Sequence, residues 1–288
     1  MTQSPYAICP LTSVALYHKP GGGAVQTSEL LFGELVEIIE QSGPQWVLVR
    51  SPQDGFEAWA LGRQLLPVSA VEYDILRTQA AFALDLFQPV VTSTHLIPVV
   101  LGSRLPNYDG MQLRLGQHRF SYSGQALRPG DVELTAERLI KIARKLLYAP
   151  FRLGGRTPLG IDGANLLRLV YSIAGYSLPR HASAQVMAGR SVDFMVQSQA
   201  GDLAYFDDVK REITHCGLLL PGGLILHVHE HVRIDAIDHF GIFNLDSGRY
   251  THRLRIVKRL LPDQEVPGRL IPPVREEGLA SRNQLAIF

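Results

Sequence analysis

The sequence predicts a multidomain chain, two small β-barrels followed by an α+β domain. Three observations carry this. The 288 residues exceed what one ordinary domain needs, so two or three domains are expected. Short β-rich runs punctuated by glycine, proline and aspartate turns fill residues 5–68 and recur over 90–127. Beyond Arg128-Pro-Gly130 the apolar spacing becomes helical, and from Gly201 it returns to strands.

In the first segment, Leu35-Val-Glu-Ile-Ile39 and Trp46-Val-Leu-Val-Arg50 are strand-like and are joined by the turn Gln41-Ser-Gly-Pro44. A second turn, Ser51-Pro-Gln-Asp-Gly55, leads into Phe56-Glu-Ala-Trp59. Strands this short predict a barrel over residues 1–68, with Trp46 and Trp59 in its core. Val71 to Phe87 mixes helix formers with apolar residues and predicts a connecting helix. Leu96 to Leu101, the turn Pro106-Asn-Tyr-Asp-Gly110, Gln112 to Leu115 and His118 to Tyr122 repeat the texture, giving a second barrel within 69–127. Thr135 is placed to cap a helix whose Leu139, Ile142, Ala143 and Leu146 share a face. Asp162 is placed to cap another, carrying Leu166, Leu167, Val170 and Ile173. Between them, Leu153-Gly-Gly-Arg-Thr-Pro-Leu-Gly160 lacks the following Lys-Ser/Thr pair of a phosphate loop, so its glycines are expected to serve backbone turns. Strands are expected at 203–206, 215–220, 224–228 and 254–258. Helices first and an antiparallel sheet afterwards define an α+β domain over 128–261. Residues 262–288, rich in proline and charge, predict an irregular tail.

Composition excludes several functions. With 28 basic and 27 acidic residues the formal charge is +1, so no nucleic-acid partner is expected. No run of about 18 apolar residues is present, which argues against membrane insertion. The start, Met1-Thr-Gln-Ser-Pro-Tyr6, lacks a basic and apolar leader, and a cytoplasmic address is expected. The two cysteines, Cys9 and Cys216, are then expected as reduced thiols. No cofactor motif is found, and no protein partner is defined.

Several segments, in order along the chain, carry a resemblance. Gly154-Gly-Arg-Thr-Pro-Leu-Gly-Ile-Asp162, Leu166-Leu-Arg-Leu-Val-Tyr171, Leu178-Pro-Arg180, Gly201-Asp-Leu-Ala-Tyr-Phe206, Thr214-His-Cys-Gly217 and Ile225-Leu-His-Val228 resemble the NlpC-type, papain-like cell-wall cysteine endopeptidases. Leu30-Leu-Phe-Gly-Glu34 and Asp54-Gly-Phe-Glu-Ala-Trp59 resemble the bacterial SH3-like domain such proteins carry, and Val99 to Asn107 resembles a second. The resemblance implies two SH3-like barrels before a papain-like domain. It also implies a catalytic set: a cysteine at a helix start, where the dipole and a nearby imidazole favour the thiolate, a histidine base on a strand, and a polar residue orienting that base.

Carried onto this sequence, the cysteine position falls on Gly163, between Asp162 and Ala164. His215 matches the base and His227 the orienting residue. The aromatic pair before the glycines becomes Phe151 and Leu153, and the carboxylate after Pro179-Arg180 becomes His181. The acid and tyrosine that hold a free N-terminal ammonium in some relatives fall on Lys19 and Phe56, and a lysine repels an ammonium. Cys216 neighbours His215 on an expected strand, so the two side chains should face opposite ways. The alternating His227, His229 and His231 suggest zinc, but the family's turn at 229–231 would splay these rings and no carboxylate is evidently placed behind them, so no metal is assigned. The reading is a non-catalytic relative of murein-peptide (γ-D-glutamyl-diamino acid) endopeptidases, acting by ligand binding, scaffolding or regulation, with a murein-derived peptide or another small ligand as partner. The alternative is an active cell-wall-peptide hydrolase with an unrecognised nucleophile.

Overall fold

The computed structural model describes residues 4–78, 80–131, 135–193 and 195–262. The N-terminal part is mostly β. Its first sheet has seven antiparallel strands in the spatial order Gln26–Leu31, Ser13–Tyr17, Glu57–Leu61, Trp46–Arg50, Leu35–Ser42, Tyr6–Ile8 and Leu66–Val68. Alternation along two neighbouring strands decides the core. Val47, Val49, Ala58 and Ala60 point inward and pack with Val14, Leu16 and Leu30 around Cys9. Trp46 and Trp59 therefore face outward and stay partly exposed, contrary to their expected place in the core. Trp46 instead meets Tyr17 edge-on, with ring centroids 5.5 Å apart.

The connecting helix, α1, spans only Ala70–Thr78. Tyr73 and Leu76 are its buried residues, and the Thr78 hydroxyl donates to the carbonyls of Asp74 and Ile75, a local bond that suits a helix end. The expected continuation to Phe87 is strand: Ala80–Ala83 and Phe87–Val91 enter two small sheets. These sheets share an apolar cluster with the first one, in which Val90, Val99, Leu113 and Phe120 pack with Ile8, Phe32 and Leu35. The chain position 68/69 thus crosses one continuous core. Gly33 shows how closely the two β regions meet. Its φ is +76°, and a Cβ there would lie 2.2 Å from the Arg104 carbonyl oxygen, so only glycine fits.

The third region is α+β. Helix α2, Ala136–Arg144, is capped by the Thr135 hydroxyl, which accepts from the Arg138 amide at 3.4 Å. Helix α3, Gly163–Ile173, is capped by Asp162, which accepts from the Asn165 amide at 2.8 Å. Both pack on a sheet of Leu203–Asp207, Ile213–Leu220, Leu224–His229, His231–Ile237, Gly241–Asn244 and Arg249–Arg259. Arg249–Arg259 pairs with both the first and the fifth of these strands, which closes a six-stranded barrel. His231–Ile237 and Gly241–Asn244 were not expected as strands. The histidine, arginine and aspartate of His231–Ile237 hide its period-two signal, and Gly241–Asn244 is only four residues long.

Each strand serves two environments. Leu203, Tyr205, Cys216, Leu218 and Leu226 face α2 and α3. Phe206, Leu219, Ile225, Ile242 and Val257 form the other cluster. The third region docks on the first through buried charge. Arg156 donates to both carboxylate oxygens of Glu34, at 2.7 and 2.8 Å, and Arg168 and Arg180 approach Asp54 at 3.3 and 3.0 Å. Gly154, at φ +72°, lies on the Thr27–Ser28 backbone, and a Cβ there would stand 2.7 Å from the Thr27 carbonyl carbon. No helix is long and apolar enough to cross a membrane among the described residues. The tail expectation falls on residues beyond 262, outside the described residues.

Candidate active site and histidine cluster

Gly163 is the first residue of α3, and a Cβ on it would meet only Cys216, its carbonyl oxygen at 3.3 Å and its Sγ at 3.5 Å. The start of the helix thus abuts the residue next to His215. Asp162 anchors this start. Its carboxylate accepts from the Asn165 amide and side chain, both at 2.8 Å, and from the Gly154 amide at 2.9 Å. Burial raises its pKa, partly offset by those hydrogen bonds.

Alternation sends His215 to the face opposite Cys216. His215 Nε2 and His227 Nδ1 are 2.9 Å apart across the Gly217–His227 pairing of their strands. His227 Nε2 lies 3.0 Å from Asp235 Oδ2, and both side chains are fully buried. Asp235 also accepts from Arg233 Nε at 2.7 Å, from Arg233 Nη2 at 3.0 Å and from the Leu245 amide at 3.0 Å. Burial opposes ionisation of Asp235, but the bonds from His227 and Arg233 outweigh it and hold the carboxyl well below the usual range. His227 therefore donates from Nε2 to a carboxylate, and its Nδ1 lone pair faces His215.

A fourth histidine completes the cluster. The His252 ring stacks on His215 with centroids 3.9 Å apart and meets His229 edge-on at 5.3 Å. Burial lowers the pKa of His215, and the neighbouring imidazoles lower it further. Burial likewise lowers His227. His252 is pushed down to about 4 by burial and then by His227 and His229. All three are neutral at pH 7.

The remaining positions carried over from the resemblance are spread around this centre. Ala164 sits in the first turn of α3, its carbonyl accepting from Gln185 Nε2 at 2.8 Å. His181 is exposed at the start of α4, Ala182–Gln185, with its ring 6.1 Å from Phe56. The Arg180 guanidinium covers the Phe56 ring at 4.4 Å. Phe151 is half exposed, and its amide donates to the Glu230 carbonyl. Lys19 is exposed in the bend after Ser13–Tyr17, and among the described residues it shares no hydrogen bond or ion pair with the others.

Two expectations about the histidines are corrected. His229 is not splayed away: its ring lies parallel to His227 at 6.4 Å, and only His231, across the turn at Glu230, leaves to stack on Tyr148. A carboxylate does stand behind His227, namely Asp235. Sequence reasoning missed Asp235 and His252. Asp235 had a usable signal, the Arg233-x-Asp235 alternation on the strand beside His227. His252 lies in a long edge-to-edge strand whose register no local pattern fixes.

Residues 148–253 match the NlpC/P60 family, and residues 16–65 match the bacterial dipeptidyl-peptidase Sh3 domain. The chain thus carries an NlpC/P60 domain, with this SH3-type domain ahead of it. It is 28% identical over 216 residues to a γ-D-glutamyl-L-lysine dipeptidyl-peptidase of Bacillus subtilis, covering 70% of this chain and 72% of that protein. It is 29% identical over 249 residues to dipeptidyl-peptidase 6 of Lysinibacillus sphaericus, covering 77% and 88%. Among solved structures, an NlpC/P60 family protein from Bacillus cereus superposes with a TM-score of 0.76 at 18% identity, covering 89% of this chain and all of that one, a likeness of fold.

Proposed function

We propose that this protein is a non-catalytic member of its family that binds a murein-derived peptide and acts through that binding, in scaffolding or regulation. The observation that carries the reading is Gly163. The helix start, the neighbouring strand and the His215–His227–Asp235 chain are assembled, yet the residue at the helix start has no side chain. Covalent catalysis of this type needs a thiolate beside its base. The nearby thiol, Cys216, is 1% exposed and packed among apolar side chains, and burial raises its pKa far above the ordinary range, followed by a smaller effect of Asp162. It stays protonated, on the face away from His215. The relatives' names describe dipeptidyl-peptidases of γ-D-glutamyl peptides, which supports a peptide of that chemistry as ligand. The test is calorimetry with L-Ala-γ-D-Glu-meso-diaminopimelate, paired with a dipeptide-release assay. Saturable binding, weakened by His215→Ala and unaccompanied by release, is expected; no binding overturns the ligand assignment, and release overturns the non-catalytic one.

The same reading divides the chain into SH3-like barrels over 1–68 and 69–127 and a papain-like domain over 128–261. The recurring small sheets before Arg128 support it. Limited proteolysis is expected to cut near Arg128 before it cuts near Val68, because the apolar cluster runs continuously across residue 68. First cleavage inside Gly201–Leu261 would contradict this division.

A further inference from the structure

We propose that His215, His227 and His252 form a binding site for a divalent transition-metal ion of the zinc class. One nitrogen from each lies within 4.8 Å of the other two. Each ligand comes from a different strand of the closed barrel, so the rings are held by the sheet and not by a loop. Histidine nitrogens bind zinc at about 2.0–2.1 Å, and tetrahedral geometry then separates two ligand nitrogens by about 3.3 Å. His215 Nε2 and His227 Nδ1 stand 2.9 Å apart, so this pair opens by a few tenths of an ångström around an ion, while the His252 ring, now stacked on His215, turns to bring its nitrogen to the same point.

The surrounding groups fit this use. Asp235 accepts from His227 Nε2, the carboxylate–histidine arrangement that fixes a ligand's tautomer and raises its basicity. Arg233, Asn244 and the Leu245 amide hold that carboxylate in turn. His252 Nδ1 lies 2.9 Å from the Thr251 hydroxyl, leaving Nε2 to ligate. His252 is partly exposed and lines a surface pocket with Phe240, Tyr250 and Arg253, which gives an ion a way in. Neutral imidazoles suit a first-row transition metal rather than magnesium or calcium. Binding moves the proton that His215 Nε2 shares with His227 to His215 Nδ1, so the ion replaces the hydrogen bond between the two rings. Three protein ligands leave a fourth tetrahedral position open.

This inference is independent of the non-catalytic reading, and its test separates the two. The full chain, stripped with chelator, is titrated with Zn2+ by calorimetry and with Co2+ by visible absorption. One equivalent and the intense d–d bands of four-coordinate Co2+ are expected. His252→Gln, a partly exposed position that leaves the buried His227–Asp235 pair intact, should weaken binding by more than about a hundredfold. Asp235→Asn should weaken it by roughly tenfold to a hundredfold, the usual cost of losing an outer partner. His231→Ala, outside the cluster, should leave it unchanged. Absence of stoichiometric binding, or binding that survives His252→Gln unchanged, overturns the site. Zinc-dependent peptide release would leave the site standing and overturn the non-catalytic reading instead.

Discussion

Placing a cysteine at Gly163 tests how much of the catalytic apparatus survives. The backbone at Gly163 is ordinary helical conformation, so a side chain is sterically allowed in principle. Its Cβ would stand 3.3 Å from the Cys216 carbonyl oxygen, a contact tight enough to push the strand by a few tenths of an ångström. Removing glycine from a helix is worth roughly 0.5–1 kcal/mol, and this contact offsets part of it, so stability should change by less than about 1 kcal/mol. The Cys216 Sγ lies 3.5 Å from the new Cβ, close to the separations a disulfide spans. Mild oxidation of Gly163→Cys should therefore link the introduced thiol to Cys216, seen as loss of two free thiols. In reducing buffer no turnover of the tripeptide is expected. Phe56 lies under Arg180 and His181 stands exposed beside it, so the wall that would hold the peptide's ammonium carries cationic and apolar groups. Misplacement of substrate by about 1 Å can cost a hundredfold. Robust turnover by the reduced single variant would refute this reasoning, because it would show a pocket intact except for its nucleophile.

Other outcomes follow from the same contacts. Arg156→Met strands Glu34 in a buried site and should cost about 3–5 kcal/mol in urea unfolding, whereas a loss under about 1 kcal/mol would show the pair to be solvated. Acidification should destabilise the fold between about pH 6.5 and 4. His215, His227 and His252 have folded pKa values below the unfolded value of 6.5, so in this window the unfolded chain binds more protons and stability falls as pH falls. Asp235 and Arg233, which face them, leave this sign unchanged, since Asp235 titrates below the window and Arg233 above it. His252→Gln should flatten the melting-temperature profile there; an unchanged slope would place its origin elsewhere. Gly154→Ala should weaken docking of the third region on the first, visible as faster proteolysis near Arg128, because the new methyl meets the Thr27 backbone. Unchanged proteolysis would mean that this interface yields.

Much of the third region was legible because its signals are local. Thr135 and Asp162 stand at helix starts ahead of apolar faces, and both cap as the sequence suggests. The period-two geometry of any strand put Cys216 on the face opposite His215. The failures are tertiary. Trp46 and Trp59 look like core residues by type, but strand parity turns them out while small alanines and valines turn in. The helix after residue 70 ends early because Ala81 and Ala83 have a strand core to join. His252 meets His215 only once Leu203–Asp207 pairs with both of their strands, and no spacing along the chain reports that register. The Glu34–Arg156 pair spans distant parts of the sequence, so its two members read as ordinary surface charges until the regions dock.

The most direct measurement is the release of L-Ala-γ-D-Glu from L-Ala-γ-D-Glu-meso-diaminopimelate by the unmodified full chain, assayed at pH 7 in reducing buffer, with chelator and again with added Zn2+. Peptide binding with no release is expected in either condition. Release that persists with chelator and disappears in Cys216→Ser would show that the buried thiol acts after all. Release of any kind above the uncatalysed rate would contradict the claim that Gly163 marks a silent centre.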